Sequence, residues 1–470
     1  MLQTKEGAVT HEHSMNHHLE LFSKGGSLFV RKTDSPYYIG EVTALELFKQ
    51  AWYANEELAF KLLLWLRDAR GGAGNRSAFR EILTWLANNK GTSWIAANID
   101  KIPEVGRYDD LRALFNTPAE LKAAEKWSND IKDGNVLAAK WADRKDKPVK
   151  HALGFKEEGK FRKFLASIRK NHIVEHKMST NNFNEIEYNK VPSVAMSRYT
   201  NAFGVKDAER FEKFKEKLVS GETTINASVL FPHDCVRTVM GGDRAIADAQ
   251  FDALPNYMEG TDEKIIVISD TSGSMNTIVS GSISACDISQ ALALYCSGKI
   301  DYHNPFHKKF IGFCSEGSFK SWNGMTFSEA VRSRSVFDKA IGQTRIDKAL
   351  DLILNTAKFF KLSQDQMPTM LLIVSDMQFQ CGVGVDYRSM TEVERCMKNF
   401  EEAGYKAPKI VYWNTAGYAG SPGTKHSANI GLVSGFSPSI LKAVLGSEDF
   451  TPTAIMMKAL EKYEVVVPKF

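Results

Sequence analysis

The chain predicts an α-helical module followed by an α/β domain with a central, mostly parallel sheet. Three observations carry that prediction. Two apolar runs, Ile265 to Ile268 and Met370 to Val374, each end in a turn of small and acidic residues, as strands of a parallel sheet do. From Lys264 onward such runs alternate with helical stretches, the pattern of α/β architecture. Before that point apolar residues recur at helical intervals between short polar turns.

Taken in order, residues 1–40 are polar and punctuated by glycine. His11, His13, His17 and His18 cluster there, in what reads as a loosely ordered or strand-like lead-in rather than a transition-metal tail. A helical module is expected over 41–255. Thr43 and Glu46 have capping-box spacing, and Leu45, Phe48, Trp52, Leu58, Leu62, Trp65 and Leu66 follow at helical intervals. Gly71-Gly72 stops that run, Asn75 caps the next helix, and Phe79, Ile82, Leu83 and Leu86 form its apolar stripe. Further helices are expected near 109–116, 119–130, 160–170 and 206–219, in a HEAT-like or irregular bundle. The boundary falls near 245–262, around Gly241-Gly242 and Pro255. The α/β domain, 256–470, is expected to run strand 264–269, helix 283–299, strand 308–314, helix 344–360, strand 369–375, helix 391–403, and strands at 409–413 and 430–434, with helices at 437–445 and 451–462 closing it.

Five oxygen-bearing residues stand at the ends of these predicted strands: Asp270, Ser272, Ser274, Thr344 and Asp376. In open α/β sheets the carboxyl ends of the strands are where ligands bind. Two carboxylates and three hydroxyls, with no His or Cys among them, make an all-oxygen site for a hard divalent cation, Mg²⁺ above all.

D-T-S-G-S at 270–274, G-Q-T at 342–344 and S-D at 375–376, in that order, resemble the metal-ion-dependent adhesion site of von Willebrand A domains, which are Rossmann-like. The resemblance implies that Ser272, Ser274 and Thr344 bind metal directly, while Asp270 and Asp376 act through water or alternate. It also implies an open coordination position that takes an acidic residue of a protein partner. The chain departs from the pattern at Met377, where glycine is frequent, and at Arg345, whose charge would oppose the metal.

Composition sets wide bounds. A length of 470 residues suggests two or three domains, and 43% apolar residues can fill real cores. The formal charge of +4 neither requires nor excludes nucleic acid, so any basic footprint must be local. Six cysteines without framework spacing (Cys235, Cys286, Cys296, Cys314, Cys381, Cys396) read as small buried hydrophobes in a reducing compartment. With no apolar run long enough to span a bilayer and no signal-peptide pattern, a cytoplasmic protein with no membrane contact is expected.

Two basic features stand out. R-D-A-R-G-G-A-G-N-R puts Arg67, Arg70 and Arg76 around a glycine turn that either cradles phosphate with its N–H groups or pairs its arginines with Asp68 and Glu81. Residues 140–177 hold 12 Lys or Arg against 5 Asp or Glu. There Phe161, Phe164, Leu165 and Ile168 form one helix face, with Lys160, Arg162, Lys163, Arg169 and Lys170 off it; that basic face either tracks phosphates or is merely solvated.

The glycine turn, I-P-E-V-G-R-Y-D-D-L at 102–111, L-A-A-K-W-A at 137–142 and V-P-S-V-A-M at 191–196 together resemble an uncharacterised family from phages and plants that joins a helical region to a von Willebrand A domain. That architecture is similar to the Ro autoantigen (TROVE) proteins, in which a ring of HEAT-like repeats carries an A domain and binds small non-coding or single-stranded RNA. The helical region is shorter than a full Ro ring, and no RNA-contacting residue carries over; the basic side chains are candidates by charge alone. A phage origin would place the protein in the host cytoplasm or the virion.

The expected function is therefore a non-catalytic RNA-binding protein with a Mg²⁺-dependent protein-interaction domain. The alternative is a structural or assembly adaptor, in a virion or elsewhere, that acts only through protein–protein contacts. A Mg²⁺-dependent hydrolase is disfavoured: Asp270 lacks a D-x-D partner and no G-x-x-x-x-G-K-[ST] motif is present.

Overall fold

The computed structural model describes residues 2–4, 8–28, 42–170, 173–280, 282–338, 342–380, 391–417 and 420–469. Cys381 and the lead-in beyond residue 28 lie outside them. No helix among the described residues is long and apolar enough to cross a membrane.

Six strands form the central sheet: β1 Ile265–Asp270, β2 Lys309–Phe313, β3 Gly317–Ser321, β4 Met370–Ser375, β5 Lys409–Asn414 and β6 Ile430–Ser434. Their order across the sheet is β6-β5-β4-β1-β2-β3. Every pairing is parallel except β2 with β3, an antiparallel hairpin at one edge. β1 and β4 are buried along their whole length, which is why both read as continuous apolar runs. The chain leaves β1 toward β2 and later returns to β1's other side as β4. The topological switch point therefore lies between β1 and β4.

The helical half starts as expected. Thr43 and Glu46 close a capping box on helix Ala44–Ala54. The apolar run then breaks at Asn55, whose side chain caps a separate helix, Glu56–Arg67. Asn75 caps helix Arg76–Asn88, and Phe79, Ile82, Leu83 and Leu86 are fully buried.

Two features differ from the sequence reading. Part of the expected lead-in is a helix, His17–Gly25, packed between the two halves. The Ser434 hydroxyl, at the end of β6, donates to the Phe22 carbonyl at 2.6 Å and accepts from the Gly26 N–H at 3.0 Å. Leu19, Leu21 and Phe22 are fully buried, and the Phe22 ring meets Trp65 with centroids 4.6 Å apart. The stretch around the expected boundary also holds two helices, Pro232–Met240 and Arg244–Asp252. One hydrophobic core runs through both halves, with a smaller cluster around Tyr188, Phe203 and Phe211 beside it.

The far end of the chain closes the same seam. Asp68 accepts from Lys462 at 2.6 Å and from the Tyr463 hydroxyl at 2.9 Å. Asn98 exchanges two hydrogen bonds with the backbone of Val466, at 2.7 and 2.8 Å.

Candidate metal centre

β1 ends on Asp270 and β4 on Ser375, side by side at the switch point, so the turns that follow them face each other. Asp270 is completely buried. One of its oxygens accepts from the Ser272 N–H at 2.9 Å and the other from the Ser375 hydroxyl at 2.5 Å. The Ser272 and Ser274 hydroxyls lie 3.3 Å apart. Asp376, also fully buried, accepts from the Gln378 N–H at 3.0 Å.

The two carboxylates are close enough to feel each other. Burial, and then the charge of Asp376, push the Asp270 carboxyl up to about 7; the donors Ser375 and Ser272 oppose that rise. Asp270 forms no salt bridge among the described residues.

Thr344 is brought to the same edge by its backbone. The Gly273 N–H donates to the Gly342 carbonyl at 3.2 Å, and the Gln343 N–H to the Ser315 hydroxyl at 3.1 Å. The Arg345 N–H donates to the Cys314 carbonyl at 3.1 Å, and the Gln380 N–H to the Thr344 carbonyl at 2.8 Å. The loop is thus laced to the ends of β1, β2 and β4, with Thr344 buried among them. Gly342 is required by the close approach: a Cβ there would lie 2.6 Å from the Ser315 hydroxyl.

Among the described residues no three His, Cys, Asp or Glu side chains group as metal ligands. The oxygens gathered here are two carboxylates and hydroxyls, a donor set suited to a hard cation that keeps part of its water shell.

Several expectations change. The helix after Thr344 begins at Ile346. Arg345 does not oppose a cation with a free charge, because its guanidinium is held bidentately by Asp347 at 2.6 and 2.8 Å. Ser375 was not singled out from the sequence, though it fixes Asp270; its signal was the S-D pair itself. Met377, in the place where glycine is frequent, adopts φ 64°, the left-handed region that glycine occupies at least cost.

The basic candidates divide. Lys160, Arg162, Lys163 and Lys170 are exposed around helix Glu158–Arg169, which buries Phe161 and Leu165, while Arg169 is half-buried. The glycine turn uses most of its N–H groups internally: those of Arg70, Gly71, Gly72, Ala73 and Asn75 are bonded within it or to helix Glu56–Arg67. Its arginines do not pair with Asp68 and Glu81. Arg67 is 4% exposed and bonded to Asp110 at 2.7 Å, which removes it from any direct surface contact. Arg70 and Arg76 are exposed.

Residues 264–466 match a domain of unknown function, DUF7788, and residues 139–268 match another, DUF2828. The chain is similar to the uncharacterized protein L728 of Acanthamoeba polyphaga mimivirus, with 27% identity across 94% of this chain and 85% of that protein. Among solved structures it is similar to the Ro (RSR) protein of Deinococcus radiodurans, with a TM-score of 0.47 and 12% identity over 95% of this chain and 100% of that one.

Proposed function

We propose that the chain is a non-catalytic binding protein of two working parts. At the carboxyl edge of the sheet, Asp270, Ser272, Ser274, Thr344 and Asp376 would hold Mg²⁺ or another divalent cation. When bound, the cation supplies a directional contact for an acidic residue of a protein partner. The helical half would engage RNA through exposed basic side chains, in the manner of the Ro-type proteins its motifs resemble. Polycations release counterions from phosphate and give affinity with little sequence discrimination.

The observation that supports the metal reading most strongly is the pair Asp270 and Asp376: two fully buried carboxylates at a switch point amid hydroxyl groups, the charge of Asp376 raising the proton affinity of Asp270. Burying two like charges is costly unless a counter-charge joins them. A small dication between them would lower that cost, and the neighbouring hydroxyls would complete an oxygen shell.

Titration calorimetry with Mg²⁺ on chelator-treated protein tests this, alongside thermal melts. Wild type is expected to bind and to melt higher with Mg²⁺. Asp270→Ala is expected to lose both effects and still melt cooperatively, since the sheet core comes from Ile265 to Ile268 and Leu371 to Val374. Mg²⁺ binding that persists unchanged in the variant would refute the assignment.

A further inference from the structure

A large cleft lies away from the sheet edge. It encloses about 830 Å³ in the helical half, and five arginines line it: Arg67, Arg70, Arg76, Arg80 and Arg107. Two buried carboxylates lie among them. Asp110 takes Arg67 at 2.7 Å and Arg80 at 2.6 Å, while Asp109 takes Arg107 at 2.6 Å and Arg80 at 2.9 Å. Those bonds tie down three guanidiniums. Arg70 and Arg76 form no salt bridge among the described residues and remain at the surface.

Arg76 is the more telling of the two. Burial and the charges of Arg107, Arg80 and Arg67 hold its guanidinium below its usual pKa, against only the opposing charge of Asp109. It also opens the 13-residue helix Arg76–Asn88, so Arg76 and Ser77 bring the positive end of that helix's dipole to the cleft. The site therefore carries a surplus of positive charge that an anion would relieve.

Glu81, Ser77 and Tyr108 also line the cleft, so its five guanidiniums still outnumber the carboxylates of Asp109, Asp110 and Glu81. Pro103, Val105, Leu137, Trp141, Val194 and Val229 form an apolar wall beside them. Leu137 is 57% exposed and Val194 49%, so the wall is open to a ligand. Arg107 already stacks on Trp141, 3.9 Å from the ring centre. Leu137 and Val194 are also shared with two neighbouring depressions of about 280 and 440 Å³, so the cleft continues to either side.

A bare anion would leave the apolar wall uncovered. A continuous ligand with alternating anionic and flat apolar groups would cover both. On the reading above that the helical half engages RNA, we propose that this cleft binds single-stranded RNA, with a backbone phosphate at Arg70 and Arg76 and a neighbouring base against the apolar wall. Arginine forks suit phosphate oxygens, and sequence-tolerant stacking suits single strands.

The test is fluorescence anisotropy with a ten-nucleotide oligouridylate, at several salt concentrations and in chelator so that the metal centre does not contribute. Three proteins are compared: wild type, Arg70→Ala/Arg76→Ala, and Lys160→Ala/Arg162→Ala/Lys163→Ala/Lys170→Ala. Both altered sets are exposed, and far-UV circular dichroism checks each fold. Loss of the two cleft arginines is expected to weaken binding by at least about tenfold and to flatten the log–log salt slope by about 1.4. Uridine monophosphate should compete only weakly.

If the cleft variant binds as wild type while the helix variant fails, RNA binding stands and the cleft assignment falls. If wild type binds no oligonucleotide at low salt, the RNA reading itself falls and takes the cleft proposal with it. If uridine monophosphate or an oligoglutamate peptide competes as well as the oligonucleotide, the cleft is a small-nucleotide or acidic-peptide site, and the strand proposal is overturned.

Discussion

Like charges gather in two regions of this molecule, and the two are built differently. At the sheet edge, Asp270 and Asp376 are both fully buried, and Asp270 is held by neutral donors only. In the helical cleft, the arginines sit over two carboxylates of their own, Asp109 and Asp110, and the surplus is left at the rim. The first arrangement is buried whole; the second supplies most of its own counter-charge and keeps its rim in water. A fully buried pair of carboxylates suits a small ion that can be partly dehydrated. A rim surplus of guanidinium calls for a large, exchangeable anion that keeps contact with water.

The sharpest way to break this comparison is to remove the cleft's internal counter-charge. Asp110 is completely buried and bonded to both Arg67 and Arg80. Asp110→Ala leaves Arg67 buried without its partner, and breaking such a pair costs about 3–5 kcal/mol. Urea unfolding should show that loss. A loss below about 1 kcal/mol would mean that Arg67 finds water or another acceptor, and that the cleft's counter-charge is not structural.

The sheet edge should respond to pH with a definite sign. Asp270's carboxyl is raised above its ordinary value of 3.8 to about 7. In chelator, the stability this group contributes is full below about pH 4 and is lost as pH rises through 7. The expected outcome is a gap between wild type and Asp270→Asn that changes over that window and closes when Mg²⁺ is added. Chemical denaturation from pH 4 to 8, with and without Mg²⁺, measures it. A gap that is flat with pH would show that neither burial nor the charge of Asp376 raises the Asp270 carboxyl in the folded protein.

How much of this was legible in the sequence follows from the same contrast. The convergence of Asp270 and Asp376 was visible because strand ends are local: D-T-S-G-S and S-D sit directly after fully buried apolar runs, and one rule of sheet topology brings them together. The edge strand Gly317–Ser321 was missed, since four of its residues are polar or glycine and none is buried. Helix His17–Gly25 was missed because its polar letters are not solvated. Glu20 and Lys24 pair at 2.7 Å while both are nearly buried, so a sequence that looks like a surface lead-in lies at the seam. The cleft was legible only in part: the glycine turn marked Arg67, Arg70 and Arg76, but not the partners that complete the site. Arg67 and Asp110 are 43 residues apart, and Asp68, the neighbour in sequence, belongs instead to Lys462 and Tyr463.

The basic helix Glu158–Arg169 provides a milder perturbation, because Lys160, Arg162, Lys163 and Lys170 are exposed and only Arg169 is half-buried. Lys160, for instance, is paired only with the exposed Glu157 at 2.7 Å. Replacing Lys160, Arg162, Lys163, Arg169 and Lys170 together by Ala should leave the melting temperature within a few degrees of wild type. In filter binding to single-stranded RNA, every phosphate that these side chains no longer neutralise should flatten the log–log salt slope by about 0.7. An unchanged slope would mean that this face is only solvated and that the rim of the cleft carries whatever RNA contact there is.

The smallest expected effect lies beside the buried carboxylate pair, at Met377. Its φ of 64° costs a non-glycine residue about 1–2 kcal/mol, yet its side chain is buried next to the turn that carries Asp376. Met377→Gly removes that strain, but it also gives up the burial of a Met side chain, worth about 1.5–3 kcal/mol, and adds freedom to the unfolded chain. These terms nearly offset, and a net loss of about 1 kcal/mol is expected. The informative reading is Mg²⁺ affinity, measured by calorimetry on the same variant. If affinity holds while stability dips, the carboxylates are positioned by β1, β4 and their own hydrogen bonds, and the residue after Asp376 needs only the right backbone angle. If affinity collapses, the Met377 side chain is what keeps Asp376 facing Asp270, and the buried pair depends on packing from outside the sheet edge.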